Sequence, residues 1–167
     1  QIGAEESADT LEERLAQLGT EPVLTAISLI EQHAGDSSLG TVQQPGLASK
    51  APRLQKSDGQ VDWDRSAVQI ANQVRAMNPW PRTFTVLHRV DHPPLRLILD
   101  EVSLGQSERG QTLPGRRVFP GNDTSLEIAT GEGVLSLDRV QPAGKRSMSS
   151  AEFLTGHVMA EDEWFGE

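Results

Sequence analysis

Basic side chains are the residues of this sequence whose types and positions could do chemistry with a partner. Arg82 follows a Pro-Trp-Pro corner, and Arg116 and Arg117 begin a predicted strand. Lys145 and Arg146 follow an Ala-Gly pair just after another predicted strand. Guanidinium and ammonium groups bind phosphate oxygens, and a glycine lets a loop present such groups outward. These five positions are therefore candidate nucleic-acid-binding residues, and an ordinary solvated role stays open for each of them.

Candidate catalytic and metal-binding residues do not combine into a centre of their own. The histidines of the chain are His33, His88, His92 and His157. His88 and His92 span a predicted strand end and turn, so we expect surface histidines and no metal site. Asp58, Asp62 and Asp64 do not complete a calcium-loop pattern, and turn or capping roles fit them better. With no phosphate-binding glycine loop either, the sequence predicts no self-sufficient active centre and no catalytic residue.

Charge is distributed unevenly along the 167 residues, whose formal net charge is −9. Residues 1–49 carry one base and eight acids, and residues 157–167 carry four acids and no lysine or arginine. Residues 50–156 carry fourteen bases and twelve acids, so acidity lies at the ends and the middle is mildly basic. Polyanion binding depends on local basic clusters more than on total charge. Because tyrosine is absent and phenylalanine scarce, we expect any RNA binding to be led by phosphates and shape, with little base stacking.

Composition favours a soluble, cytoplasmic chain, which we expect to be a monomer without DNA or membrane partners. The absence of cysteine excludes disulfides and thiolate metal sites. No apolar run approaches a membrane span, and the first residues lack the pattern of a signal peptide. Leucine, isoleucine and valine must supply most of the core, since aromatic residues make up only 4%. For Trp63 and Trp80 we predict packing roles in preference to ligand contact.

The N-terminal third predicts helices followed by a linker. Thr10-Leu-Glu-Glu has the spacing of a capping box, and a leucine stripe then runs to Gly19, which we expect to end a first helix. Pro22 suits the first turn of a second helix, which is expected to end at residues 33–35. Residues 35–60 are rich in glycine, serine, glutamine and proline, and this composition predicts an extended linker.

The second half predicts a small barrel. Apolar positions recur at helical spacing over 67–77, with Asp64 or Ser66 as the cap. The period then changes to two residues in candidate strands at 84–90, 95–100, 116–119, 126–130 and 134–140. Five short strands with glycine-marked turns are typical of an OB-like barrel. A capping box at Ser149 opens a short helix, and residues 157–167 predict a frayed acidic tail.

Two motifs carry a resemblance to a known family. They are RAMNPWP at 75–81, with DGQVDW at 58–63 before it, and QPAGKRSMSSAEFLTG at 141–156. The sequence resembles the C-terminal portion of methionyl-tRNA formyltransferases. That resemblance implies a mainly β fold with flanking helices: a five-stranded OB-like barrel preceded by a helical remnant of a Rossmann-like α/β domain. The implied domains are the end of the formyltransferase domain at 1–34, a linker at 35–63, the tRNA-contacting barrel at 64–156 and the tail at 157–167.

The resemblance also implies a function. Members of the family transfer a formyl group from 10-formyltetrahydrofolate to the amino group of initiator methionyl-tRNA. Their catalytic Asn, His and Asp are expected upstream of residue 1, so this piece is expected to hold tRNA, to bind no cofactor and to be inactive alone. Related sugar-nucleotide formyltransferases, formyltetrahydrofolate hydrolases and a free-standing OB-like interaction module remain alternatives. Arg82 stands where the family usually has a small residue, which adds a positive charge without proving RNA contact.

Overall fold

The N-terminal part of the chain contains one long helix where the sequence predicted two. The structure, a computed structural model, describes residues 1–33, 39–119 and 125–166. Helix α1 runs without a break over Ala8–Gln32, with Pro22 inside it. The prediction that Gly19 ends a helix is wrong, because a glycine costs a helix interior only about 1 kcal/mol. The predicted helix end at 33–35 is confirmed at its first residue, since α1 ends at Gln32 with His33 as the C-cap, whereas the predicted domain boundary at 34–35 lies outside the described residues.

The start of α1 also differs from the sequence prediction. Ser7 is the N-cap, and its backbone N–H donates to the Thr10 hydroxyl oxygen at 3.0 Å. Thr10 is therefore the third residue of the helix, and the predicted capping box at Thr10 is wrong. Arg14 donates from Nε and Nη2 to the two carboxylate oxygens of Glu6, at 2.7 and 2.8 Å. This pairing lowers the pKa of Glu6 to about 2, because the ionised carboxylate accepts both bonds.

The chain divides into two units, Gln1–Leu54 and Gln55–Glu167. In the first unit no residue of α1 is buried, and a 3₁₀ turn at Pro45–Leu47 interrupts the otherwise irregular segment from Leu39 onward. The second unit begins with another 3₁₀ turn at Lys56–Gly59. The predicted domain bounds at 35–63 and 64–156 stay predictions.

The second unit is a nearly closed, barrel-like antiparallel sheet with two helices. Its helices are α2 (Ala67–Ala76) and α3 (Ser150–Gly156). Its strands are β1 (Thr83–Arg89), β2 (His92–Leu104), β3 (Arg117–Val118), β4 (Glu127–Ala129), β5 (Val134–Pro142), β6 (Met148–Ser149) and β7 (Trp164–Gly166). They follow the order β3-β4-β5-β2-β1-β7, and β6 pairs with β5. The predicted mainly β, OB-like fold with flanking helices is confirmed, and each of the five predicted strands is present.

The last strand, β7, lies in the segment that the sequence predicted to be frayed. Phe165 is 1% exposed, and β7 pairs antiparallel with β1 over residues 86–88. On the other side, the Phe165 N–H donates to the Gly115 carbonyl at 2.8 Å, and Arg116 forms an antiparallel bridge with Trp164. The prediction of a frayed tail is wrong for these residues, since β7 links the two edges of the sheet. Three residues are too few for a strand period to appear in sequence.

The helix after the linker packs its predicted apolar stripe into the barrel. Ser66 caps α2: its hydroxyl accepts from the Gln69 N–H at 3.3 Å, and the Ser66 N–H donates to the Gln69 side chain at 3.1 Å. Ala67, Ile70 and Val74 are buried in one core with residues of β1, β2, β4 and β5. A helix alone of this length is marginal, so this burial stabilises it. The same core contains Phe153 of α3 and Phe165 of β7.

The DGQVDW turn fits against the barrel through two glycines. A side chain at Gly59 would stand 2.1 Å from the Arg82 carbonyl oxygen, and one at Gly131 would stand 1.7 Å from the Asp64 carbonyl oxygen. The Gly131 N–H donates to the Trp63 carbonyl at 2.8 Å. Trp63 itself is 5% exposed and donates from Nε1 to the Thr85 hydroxyl at 3.0 Å. The packing role predicted for Trp63 is confirmed.

Candidate nucleic-acid interface

Arg82 is the last residue of a corner, residues 78–82, that joins α2 to β1. The Asn78-Pro79 and Trp80-Pro81 bonds are both cis, and Arg82 has a positive φ of 68°. The Arg82 N–H donates to the Met77 carbonyl at 2.8 Å, which closes the corner. The rings of Pro79 and Pro81 restrict two further φ angles. The backbone that carries the side chains of Trp80 and Arg82 is therefore restrained.

The Arg82 guanidinium connects the corner to two strands and a loop. It forms an ion pair with Asp100 of β2, and its Nη1 donates to the Gln141 Oε1 of β5 at 3.0 Å. The Gln141 Nε2 in turn donates to the Lys145 carbonyl at 2.9 Å. A continuous polar path therefore runs from Asp100 to the loop that carries Lys145. Arg82 keeps 38% of its side chain exposed, so it can still meet an anion from solvent.

The loop after β5 presents two exposed cations. The Lys145 N–H donates to the Pro142 carbonyl at 2.9 Å, and Gly144 takes the left-handed conformation at φ 73° that this turn needs. Arg146 forms an ion pair with Glu152, with Nη2 and Oε1 2.9 Å apart. The Arg146 guanidinium, together with the Ser149 N–H and hydroxyl, lowers the pKa of Glu152 to about 2. Glu152 is also the N3 residue of the capping box of α3, as predicted. Its ion pair with Arg146 therefore connects this cation to the first turn of α3.

Of the five predicted basic residues, the structure brings Arg82, Lys145 and Arg146 to one end of the barrel. We call these three residues the basic end. Arg117 pairs with Ile128, which pairs with Leu135 near the start of β5, whereas Lys145 lies beyond the last residue of β5. Seven residues separate positions 135 and 142, which corresponds to about 23 Å along a strand.

Arg116 and Arg117 serve other contacts at that distance. Arg116 donates from Nη1 to the Asp162 carbonyl at 2.7 Å, which holds the segment before β7. Arg117 is only 8% exposed, donates to the Ser125 carbonyl at 2.9 Å and stacks its guanidinium 4.8 Å from the Phe119 ring. Both contacts are structural, and the structure does not bring either residue to the basic end.

Sequence reasoning missed Arg96, which lies beside the basic end. The Arg96 carbonyl accepts from the Ala143 N–H at 2.9 Å, in the turn that precedes Lys145. Its guanidinium lies 3.9 Å from the centroid of the Phe84 ring on β1. The alternation of Arg96 with the apolar Leu95 and Leu97 was the available signal, because alternate strand residues face opposite sides.

Trp80 is the clearest difference between the sequence prediction and the structure at this end. The prediction made it a packing residue, but 51% of it is exposed. The packing prediction for Trp80 is therefore wrong, and the corner presents its indole ring to solvent. Its neighbour two residues on is Arg82, so an exposed ring and a cation leave the same corner.

The comparisons with known proteins agree with this architecture. The family described as "Formyl transferase, C-terminal domain" matches residues 53–158 of the chain. The chain belongs to this formyl transferase family. A methionyl-tRNA formyltransferase from Rhodopirellula baltica is 36% identical over 162 residues, which cover 93% of this chain and 47% of that protein. The predicted resemblance is thereby confirmed, and the chain spans about half the length of that relative.

Two solved structures share the fold of this chain. Both are variants of HypX from Aquifex aeolicus. One aligns with 85% of the chain and 24% of HypX at 19% identity and a TM-score of 0.51. The other aligns with 92% and 26% at 17% identity and a TM-score of 0.57. At such identities the likeness concerns the fold alone.

Elsewhere in the barrel unit, two histidines stack on aromatic rings. The ring centroids of His88 and Trp164 are 4.0 Å apart, and those of His157 and Phe153 are 4.5 Å apart. In each pair the two ring planes are nearly parallel. Over residues 1–33, 39–119 and 125–166, no three His, Asp or Glu side chains are grouped as metal ligands. In the same ranges, no helix is long and apolar enough to cross a membrane.

A cleft of about 660 Å³ lies beside the DGQVDW turn. The DGQVDW turn forms one wall, and β7 with Pro114 forms the other. Asp62 and Asp64 line it, so it presents carboxylates where the basic end presents cations. This charge does not favour a phosphate ligand in the cleft.

Proposed function

We propose that the chain is the C-terminal part of a methionyl-tRNA formyltransferase, and that its barrel contacts initiator methionyl-tRNA through the basic end. The complete enzyme would transfer a formyl group from 10-formyltetrahydrofolate to the amino group of the methionyl residue. The observation that carries the proposal is the 36% identity to a protein of that name over 93% of the chain. The exposed cations of the basic end support the RNA contact.

The physical role that we assign to the barrel is to hold and orient the tRNA. Lys145 and Arg146 stand on a short turn, and Arg82 is joined to that turn through Gln141. Cations held in this way meet phosphates with less loss of side-chain freedom than free side chains do. Binding energy gained far from the reacting amino group can orient the aminoacyl end, which raises turnover as well as affinity.

Chemistry itself we assign to a preceding domain. By resemblance to the family, the catalytic Asn, His and Asp and the site for 10-formyltetrahydrofolate would lie there. Attack by the amino group on the formyl carbon needs a proton acceptor and stabilisation of the developing oxyanion. We therefore expect the 167-residue chain to bind tRNA weakly and to transfer no formyl group alone.

The test measures binding of the purified chain to an initiator tRNA transcript across a series of salt concentrations. We expect weak binding, and the logarithm of the affinity should fall linearly as the logarithm of the salt concentration rises. The reason is that Lys and Arg side chains bound to phosphates release the counterions of the RNA. A sugar nucleotide serves as the competing ligand. Binding of the sugar nucleotide without binding of tRNA would favour the sugar-nucleotide formyltransferases and contradict the proposal. Formyl transfer by the chain alone would contradict the assignment of chemistry to another domain.

A further inference from the structure

The indole ring of Trp80 is exposed without a partner of its own. The other two tryptophans are satisfied within the barrel, Trp63 by burial and Trp164 by its stack on His88. Within the described part of the chain, no aromatic ring or guanidinium stacks on Trp80. An exposed indole keeps a large apolar surface in water, so covering it by a ligand is favourable.

The ring is also held in place before any ligand arrives. Pro79 and Pro81 flank Trp80 and restrict the backbone, and the hydrogen bond from Arg82 to Met77 closes the corner around it. Little backbone entropy is then left to lose when a planar ligand stacks on the indole.

Charge decides which planar ligand fits. Arg82 follows the same corner, and Arg96 stands on the neighbouring strand with its guanidinium over Phe84. Proteins that bind unpaired nucleotides combine exposed aromatic rings, which stack on the bases, with cations, which pair with the phosphates. Bases within a duplex are already stacked on their neighbours, so only an unpaired base can lie on the ring.

We infer that Trp80 is a stacking platform for one unpaired base of the RNA whose phosphates the basic end contacts. This inference rests on the proposed function and adds to it a requirement for an unpaired nucleotide. It departs from the sequence expectation of little base stacking on the barrel, which rested on the absence of tyrosine and the scarcity of phenylalanine.

The test compares two RNAs and three variants of the 167-residue chain. The RNAs are a single strand of mixed sequence and a blunt-ended duplex, measured at one salt concentration. Trp80→Leu keeps an apolar side chain but has no aromatic face, and Trp80→Phe keeps a smaller face. Val68→Ala is the matched control, since Val68 is 53% exposed on α2. Thermal unfolding of each variant verifies that the barrel is intact.

We expect Trp80→Leu to weaken single-strand binding about tenfold, as the loss of one stacked base would. Trp80→Phe should retain most of the affinity, Val68→Ala all of it, and duplex binding should be unchanged in every variant. Equal single-strand affinities for Trp80→Leu and wild type, with wild type binding RNA, would overturn the stacking inference and leave the proposed function standing. A wild-type chain that binds neither of these RNAs nor the initiator tRNA transcript would overturn both.

Discussion

At the scale of residues, the interface depends on how each cation is paired. Arg117 is buried and Arg116 holds backbone carbonyls, whereas Lys145 is exposed on a turn. Equal formal charges therefore have unequal access to a polyanion. Arg146 is intermediate, because it is exposed but shares its charge with Glu152. An exposed pair of this kind contributes little to stability, so a phosphate can compete for the cation at small cost.

Lys145→Ala should weaken binding of the chain to tRNA roughly fivefold, or about 1 kcal/mol. Loss of one phosphate contact should also reduce the slope of log affinity against log salt by about one. Arg65→Ala is the matched control: it removes the same charge from an exposed residue beside Gly131, at the opposite end of β5. Equal losses for the two variants would mean that general charge, and not the basic end, determines binding.

Glu152→Gln should lower the melting temperature at pH 7, and this effect should shrink as the pH falls from 4.5 and disappear below pH 2. The folded pKa of Glu152 is about 2, below its ordinary value of 4.5, so the ionised carboxylate stabilises the folded state fully above pH 4.5. That stabilisation is lost as the pH falls through 2, because below this pH the carboxyl is protonated in the folded and the unfolded state alike. Thermal unfolding across this range measures it, with Glu161→Gln as an exposed control. A difference that does not change with pH would show that the ionised form is not the stabilising one.

At the scale of elements, short pieces complete the barrel. Strand β7 has three residues and β3 has two, yet β7 pairs with β1 and bonds to Gly115 beside β3. The polar path from Asp100 through Arg82 and Gln141 likewise joins elements that are far apart in sequence. These contacts connect residues separated by tens of positions, so no local pattern of the sequence predicts them.

Phe165→Ala should lower the free energy of unfolding by about 3 kcal/mol, because it removes a buried ring and leaves a cavity in the core. Phe165 is 1% exposed and lies 6.0 Å, centroid to centroid, from the Trp63 ring. Val158→Ala, at a position that is 91% exposed, provides the control and should change stability by less than about 0.5 kcal/mol. Denaturation in urea measures both, and equal stabilities would mean that the tail is frayed as the sequence predicted.

At the scale of the whole molecule, the excess of acidic residues in the first unit and the hydrophobic core of the second unit lie in different parts of the chain. The main hydrophobic core draws all its buried members from Val61 to Phe165, within the second unit. Residues 1–54 carry three bases against eight acids, so they oppose the approach of a polyanion. The basic end therefore lies in the unit that has a core of its own.

A chain that begins at Gln55 should fold and bind tRNA at least as tightly as the 167-residue chain. Its core is complete, and removal of the acidic first unit reduces long-range repulsion, which should raise affinity by no more than a few-fold at moderate salt. Parallel titrations of the two chains with the tRNA transcript test this. A large loss of affinity would place RNA contacts in Gln1–Leu54.

Local sequence patterns were enough to predict the family, the helix at 67–77, the five strands and the capping box of α3. These features have local causes: a hydrophobic period, a cap spacing, a glycine turn or a motif contiguous in the chain. The folded structure was needed to show that α1 is continuous, that β7 completes the sheet and that Trp80 is exposed while Trp63 is buried. It also decided which of five cations share one end. Burial and pairing depend on residues distant in sequence, and those contacts exist only once the chain has folded.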